Sequence, residues 1–98
     1  MTTAANIAVA LVALLHLAFL VLEMFLWDKP FGRRVFRLTP EYAAASKSLA
    51  ANQGLYNGFL AAGLIWGVSL GAAGQAIQVF FLGCVILAGI FGAVTVSL

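Results

Sequence analysis

The chain has 98 residues, which is enough for one domain. Hydrophobic residues make up 64% of it and charged residues only 8%, whereas a soluble domain is about half apolar and a quarter charged. So few charges could not cover the apolar core of a soluble protein, so the composition predicts a single-domain integral membrane protein, residues 1–98, in contact with the lipid bilayer.

The first apolar segment predicts a transmembrane helix over about residues 5–27. It lacks the positively charged start of a signal peptide, so we expect it to be retained. The run from Lys29 to Gly32 contains Pro30, which removes a backbone donor and ends the helix. A basic loop, residues 28–39, is expected to follow.

The second predicted helix covers residues 40–70. Thr39 is a suitable N-cap, Pro40 suits the first helical position, and Glu41 complements the positive end of the helix dipole. We expect this helix to enter the bilayer near Leu49. The sequence GAAGQ at residues 71–75 predicts a tight turn before a third helix over 77–98. The predicted fold class is therefore all-α, a polytopic transmembrane bundle with three spanning helices.

The charged side chains set the predicted orientation, because all of them lie between Glu23 and Lys47. Short loops rich in Lys and Arg stay in the cytoplasm, which places the basic loop inside and the N-terminus outside in a multi-pass membrane protein. Binding to anionic lipid headgroups is a second expected role of the basic residues, and no nucleic-acid partner is predicted. These residues are Lys29, Arg33, Arg34, Arg37 and Lys47.

Glycine spacing predicts where the helices pack. Gly54 and Gly58 form a GxxxG motif in the second helix, and Gly89 and Gly92 lie in the third. Small residues allow close helix contact in lipid. These faces support one functional hypothesis, a structural or accessory subunit that forms a homo-oligomer or joins a partner membrane protein.

Two polar residues interrupt the first helix, in the run HLAFLVLEMFLW. His16 and Glu23 are seven residues apart, so they share a helix face. The rise along the axis separates them by about 10.5 Å, which is too far for a direct hydrogen bond. Each of them therefore needs another partner.

The second helix offers such partners at the expected depth of Glu23. We predict that Glu23 faces the bundle interior and is hydrogen-bonded to some of these groups. Its carboxyl group is expected to be either protonated, because of desolvation, or charged and paired with Lys47 or Arg33 from the loop. Thr95 and Ser97 of the third helix are expected at the same level. The partners on the second helix are Asn52, Gln53, Tyr56 and Asn57.

Three interpretations of this polar layer remain open, namely a structural clasp, a site for a small ligand or protons, and a subunit contact. His16 is either a satisfied core residue or part of that site. The single cysteine, Cys84, excludes an intrachain disulfide, and its spacing from His16 and Glu23 matches no metal motif. No catalytic motif is present, so we favour a protein that is not an enzyme and has no cofactor.

The run LAANQGLYNGFLAAGL, with HLAFLVLEMFLW before it and FFLGCVILAGIFGAVTVS after it, resembles a bacterial family of small membrane proteins known as domain of unknown function 1304. The resemblance extends from about His16 to Ser97 and implies a small multi-helix protein of the inner (plasma) membrane without an established activity. It also implies a basic junction and a fourth apolar helix, which this chain lacks. We therefore expect an open bundle face and an oligomer.

Overall fold

The computed structural model describes residues 1–97, except for the side chain of Ser97. Every regular element in this part of the chain is a helix. The predicted all-α class is therefore confirmed. In chain order the elements are α1 (Thr3–Met24), α2 (Pro30–Phe36), α3 (Pro40–Ser69), a 3₁₀ turn (Gly71–Gly74) and α4 (Gln75–Ser97).

Helix α1 starts and stops earlier than the predicted range of 5–27. The Thr2 hydroxyl caps its start by accepting a hydrogen bond from the Ala5 amide at 3.1 Å. After Met24 the chain turns, and the indole of Trp27 donates a hydrogen bond to the Ser46 hydroxyl at 3.0 Å. Trp27 therefore lies outside α1, and its hydrogen bond links the turn to α3.

The segment predicted as a basic loop contains a helix, α2. Pro30 occupies its first helical position, where a missing amide hydrogen costs nothing. Arg37 closes it in the left-handed region, with φ 56° and ψ 47°, and its amide donates to the Arg33 carbonyl. We had interpreted Pro30 only as the end of α1, although it also starts the next helix.

Helix α3 begins at Pro40, where the sequence predicts a helix start. The Thr39 hydroxyl accepts a hydrogen bond from the Tyr42 amide at 3.1 Å, as an N-cap does. The helix ends at Ser69, and Gly71 then takes a φ of 62°, which favours glycine. The chain reverses there, and α4 starts two residues before the predicted position of 77.

Helices α1 and α3 pack antiparallel along a seam of small side chains, which lets the two backbones approach closely. At the centre of the seam, Leu64 is fully buried. The other buried seam residues are Val9, Ala13, Gly54 and Ala61. This seam fixes the register that brings the end of α1 beside the middle of α3.

Helix α4 packs on α3 through its first half. The ring of Phe81 lies directly over Gly63, and the side chain of Gln78 lies over Gly67. Residues 86–96 are exposed, except for the partly covered Gly92. The second half of α4 therefore presents an apolar surface that no described part of the chain covers.

Two segments are long and apolar enough to cross a membrane, Thr3–Met24 and Gly71–Val96. Most residues of both segments are exposed or half-buried, unlike those of a soluble core helix. Helix α3 does not meet the same criterion, because polar residues in its middle lower its hydropathy. The structure therefore supplies two candidate spans, and the third predicted span, α3, stays a prediction.

Gly32 provides a test of how α2 docks. A Cβ at this position would overlap the Leu26 carbonyl, so Gly32→Ala should destabilise the fold by about 1–3 kcal/mol, the usual cost of overpacking. The measurement is the unfolding midpoint in an SDS titration of the detergent-solubilised protein. Gly83→Ala is the matched control, because its Cβ meets nothing within 4 Å, and it should be neutral or stabilising by up to about 1 kcal/mol. Equal midpoints for Gly32→Ala and the parent chain would contradict this packing.

Candidate functional site

The centre of the candidate site is a hydrogen bond between Glu23 and Asn57. The Asn57 Nδ2 atom donates to Glu23 Oε1 at 2.6 Å. Glu23 lies in the last turn of α1 and Asn57 lies in the middle of α3, and both side chains are partly buried. The structure thus turns this carboxyl group toward the bundle and gives it one amide partner.

The other three residues of the expected polar layer do not bond to Glu23. Asn52, Gln53 and Tyr56 are all exposed, since successive helix residues are rotated by about 100° and only some can face α1. The Tyr56 ring packs beside Phe59 instead, with centroids 6.0 Å apart. The layer predicted from the sequence is therefore reduced to a single amide.

The polar end of α4 also stays apart from Glu23. The Thr95 hydroxyl donates to the carbonyls of Phe91 and Gly92, at 2.9 and 3.1 Å, so it is satisfied within its own helix. The predicted contribution of Ser97 falls on a side chain outside the described residues. The expected depth of Thr95 in the membrane stays a prediction.

A groove of about 410 Å³ opens beside the Glu23–Asn57 pair and receives side chains from all four helices. His16 and Glu23 both line it, as expected for residues on one face of α1. Its remaining lining residues are Phe19, Phe36, Asn57, Leu60, Val85, Ala88 and Gly89. The groove joins the predicted ionisable residues in one space, although they do not touch.

His16 finds its hydrogen-bond partner within α1. Its Nδ1 lies 2.8 Å from the Val12 carbonyl oxygen, and because a carbonyl only accepts, Nδ1 must carry the hydrogen. In the neutral ring Nε2 is then an acceptor. The ring also meets Phe19 edge-on, with centroids 6.0 Å apart.

A second cavity of about 210 Å³ lies on the other side of Glu23, toward the α2 end of the molecule. Here Ser46 accepts the Trp27 indole hydrogen and donates to the Tyr42 carbonyl at 2.7 Å. The cavity is lined by Glu23, Trp27, Tyr42, Ser46, Leu49, Ala50 and Gln53. Glu23 therefore lines both cavities.

The basic residues do not neutralise Glu23, contrary to one of our two hypotheses. Lys47 instead pairs with Asp28, with Nζ 3.1 Å from Oδ2. Among the described residues this is the only ion pair. The Arg33 Nε atom is buried and has no hydrogen-bond partner among them. Lys29, Arg34 and Arg37 are exposed, and their role at lipid headgroups stays a prediction.

The four glycines expected at helix contacts fall into two groups. A Cβ on Gly54 would lie 3.1 Å from the Glu23 Cβ, and one on Gly58 would lie 2.6 Å from the Leu20 Cδ1. Both therefore pack against α1 of the same chain. A Cβ on Gly89 or Gly92 would meet nothing within 4 Å.

A polar contact that sequence reasoning missed joins the starts of α1 and α4, at the end of the bundle away from Glu23. Gln78 is only 1% exposed, and its Nε2 donates to the Gly67 carbonyl at 3.3 Å and to Asn6 Oδ1 at 3.4 Å. Its Oε1 is buried without a partner in residues 1–97. The sequence feature that could have indicated this contact is an amide side chain in an otherwise apolar segment, next to a helix start.

The described residues contain no cluster of three His, Cys, Asp or Glu side chains that could hold a metal ion. Cys84 is a free cysteine and is only partly buried. The chemistry of the site therefore consists of one carboxyl group, one amide and one imidazole around an open, otherwise apolar groove.

The Glu23–Asn57 hydrogen bond should be measurable by a double-mutant cycle. With Glu23→Ala and Asn57→Ala, each of which removes one partner of the bond, we expect a coupling free energy of about 0.5–1.7 kcal/mol, the range for hydrogen bonds between membrane helices. Unfolding in SDS gives the four stabilities. Repeating the cycle with Asn52→Ala is the control, because Asn52 is exposed and should show no coupling. Equal coupling at both positions would refute the pairing.

The Asp28–Lys47 pair predicts a pH-dependent contribution to stability. The hydrogen bond and charge of Lys47 lower the pKa of Asp28 below its ordinary value. The stabilisation is therefore complete above the ordinary aspartate pKa and is lost as the pH falls through the lowered one. Lys47→Gln should be less stable than the parent at neutral pH, and the difference should vanish in acid. Thermal unfolding across pH measures this. Arg34→Gln is the control, and a Lys47→Gln difference that persists in acid would contradict the assignment.

Residues 10–98 match the model of the family described as "Protein of unknown function (DUF1304)". No curated protein and no solved structure matches the chain. The family match covers nearly all of the sequence, including α2, α3, α4 and most of α1. The chain therefore belongs to the DUF1304 family.

Proposed function

We propose that this chain is a membrane protein with three spanning helices and that its central groove binds a small polar or amphipathic molecule or protons. The two candidate spans support membrane insertion because their apolar side chains are mostly exposed. Helix α3 has 30 residues, which at 1.5 Å each is about 45 Å, long enough to cross a bilayer. Its Asn57 is shielded by Glu23, which lowers the cost of placing it in lipid.

The proposed orientation puts α2 and the basic side chains in the cytoplasm of the cell that makes the protein. Lys29, Arg34 and Arg37 are exposed around α2, where they can reach lipid headgroups and retain that end inside. The N-terminus and the 3₁₀ turn (Gly71–Gly74) would then face outward across the inner (plasma) membrane.

The observation that carries the binding proposal is the position of the Glu23 carboxyl group on the wall of an open groove. An ionisable group inside a transmembrane helix is expensive and usually functional. The groove volume of about 410 Å³ falls in the range of small-molecule sites, which are mostly apolar with a few polar groups. A purely structural clasp would need Asn57 but neither the open space nor the imidazole of His16.

The second cavity supports a route to this site from the α2 end. Glu23 borders both spaces, and the smaller cavity is lined by residues at the start of α3, close to α2. A ligand or a proton entering there meets Glu23 before it reaches the larger groove. Glu23 would then act as the binding group and as the boundary between entrance and groove.

A second candidate function is a subunit that associates through α4. Residues 86–96 are mostly exposed and apolar, and Gly89 and Gly92 leave open space on that surface. Small residues of this kind allow a second membrane helix to approach closely. Gly54 and Gly58 are not available for such a contact, because α1 of the same chain covers them.

Two glycine variants separate the candidates. Gly89→Leu places a side chain in the groove, whereas Gly92→Leu changes α4 three residues away, at a position that does not line it. We expect Gly89→Leu to reduce labelling of residues 16–23 by a photoactivatable diazirine octanol to background. Gly92→Leu should leave this labelling unchanged. Membranes containing each variant are irradiated, and adducts are mapped by mass spectrometry.

Equal labelling of residues 16–23 in the parent and in Gly89→Leu would contradict binding in the groove. Crosslinking in the same membranes tests the second candidate. If α4 forms a subunit contact, both leucine variants should lose the crosslinked oligomer, since both fill space on the exposed surface. Retention of the oligomer by both would contradict that candidate.

A further inference from the structure

We propose that the groove takes an amphipathic primary or secondary ammonium compound, with the ammonium group on Glu23 and the apolar part along the groove. This inference rests on the proposed function, because it names the ligand class of that same groove. Three features of the groove support it, namely the balance of free hydrogen-bond donors and acceptors, the charge of the site and the apolar side chains that line it.

The free polar atoms of the groove are mostly acceptors. Asn57 Nδ2 donates to Glu23 Oε1, which leaves Glu23 Oε2 and Asn57 Oδ1 as acceptors. The His16 Nδ1 hydrogen is taken by the Val12 carbonyl, which leaves Nε2 as an acceptor too. The remaining donor among these three side chains is the second hydrogen of Asn57 Nδ2. A ligand that donates hydrogen bonds therefore fits this site better than one that accepts them.

The charge of the site favours the same class. Glu23 is the charged residue among those that line the groove. Of the two expected counter-ions, Lys47 is held by Asp28 at 3.1 Å, and Arg33 forms no ion pair with Glu23 among the described residues. In a low-dielectric site an ionised carboxylate attracts a cation strongly, and charge-assisted hydrogen bonds are roughly twice as strong as neutral ones. An anionic ligand would bring a second negative charge next to Glu23.

The walls of the groove suit the apolar part of such a compound. Phe19 lies one turn from Glu23 on α1, and Phe36 comes from α2. An aromatic face near an ammonium group adds a favourable cation–π term. Beyond them, Leu60 and Val85 continue the apolar surface. The distance along α1 from Glu23 to His16 is about 10 Å, which accommodates an alkyl chain of moderate length.

The sequence makes the test unusually selective, because the chain has two glutamates, Glu23 and Glu41. Labelling glutamate with ¹³C at the side-chain carboxyl thus gives two carboxyl signals. Glu41 is exposed at the start of α3 and reports any general effect of a charged amphiphile on the membrane. The protein in nanodiscs of uncharged lipid is titrated with octylammonium, octan-1-ol, octanoate and octyltrimethylammonium at matched concentrations in the bilayer.

We expect octylammonium to shift the Glu23 signal at a concentration at least about tenfold lower than octan-1-ol requires, because its hydrogen bond is charge-assisted. Octyltrimethylammonium has the charge but no N–H donor and should be weaker than octylammonium. Octanoate should leave Glu23 unchanged. Gly89→Leu should abolish the octylammonium response, whereas Gly92→Leu should retain it.

Equal midpoints for octylammonium and octan-1-ol, or tighter binding of octanoate, would overturn the ammonium assignment while leaving the groove as a binding site. A Glu23 shift that Glu41 follows in parallel would also overturn it, since that is a surface-charge effect. If no compound shifts Glu23, or if Gly89→Leu responds like the parent, the proposed function fails together with the inference.

Discussion

The hydrogen bond from Asn57 to Glu23 is the interaction on which the rest of the site depends. It joins α1 to α3 across residues that are 34 positions apart in the sequence, and it satisfies a carboxyl oxygen that would otherwise be costly in apolar surroundings. Close approach of the two helices makes it possible, because Gly54 leaves room for the Glu23 Cβ beside the α3 backbone. The hydrogen bond therefore depends both on the small residues of the seam and on the position of Asn57 along α3.

The ends of the bundle hold this central pair in place and leave space beside it. At one end Trp27 bonds to Ser46 and packs against Phe36, with ring centroids 5.0 Å apart, so α2 folds back over the groove. At the other end Gln78 draws α4 onto Gly67. Since α4 is covered by α3 only through its first half, its second half leaves the groove open between α1 and α4.

Sequence reasoning predicted the helical class, the start of α3 and an inward-facing Glu23, because hydrophobic length, the Thr39-Pro40 cap and the cost of a membrane carboxyl group are local properties. It could not predict which amide Glu23 meets, since that depends on the rotation of α3 about its axis, set by the packed seam. It also missed α2, because seven residues carry too weak a periodic signal. The partners of His16 and Gln78 are set by tertiary contacts and helix geometry that no spacing rule encodes.

The most direct test of the account is a solid-state NMR correlation in lipid bilayers between the Glu23 carboxyl carbon and the Asn57 side-chain nitrogen. The account predicts a cross-peak at short mixing time that disappears in Asn57→Ala, because the donor and acceptor lie 2.6 Å apart. A Glu23 carboxyl carbon that correlates with lipid acyl chains, and not with Asn57, would contradict it.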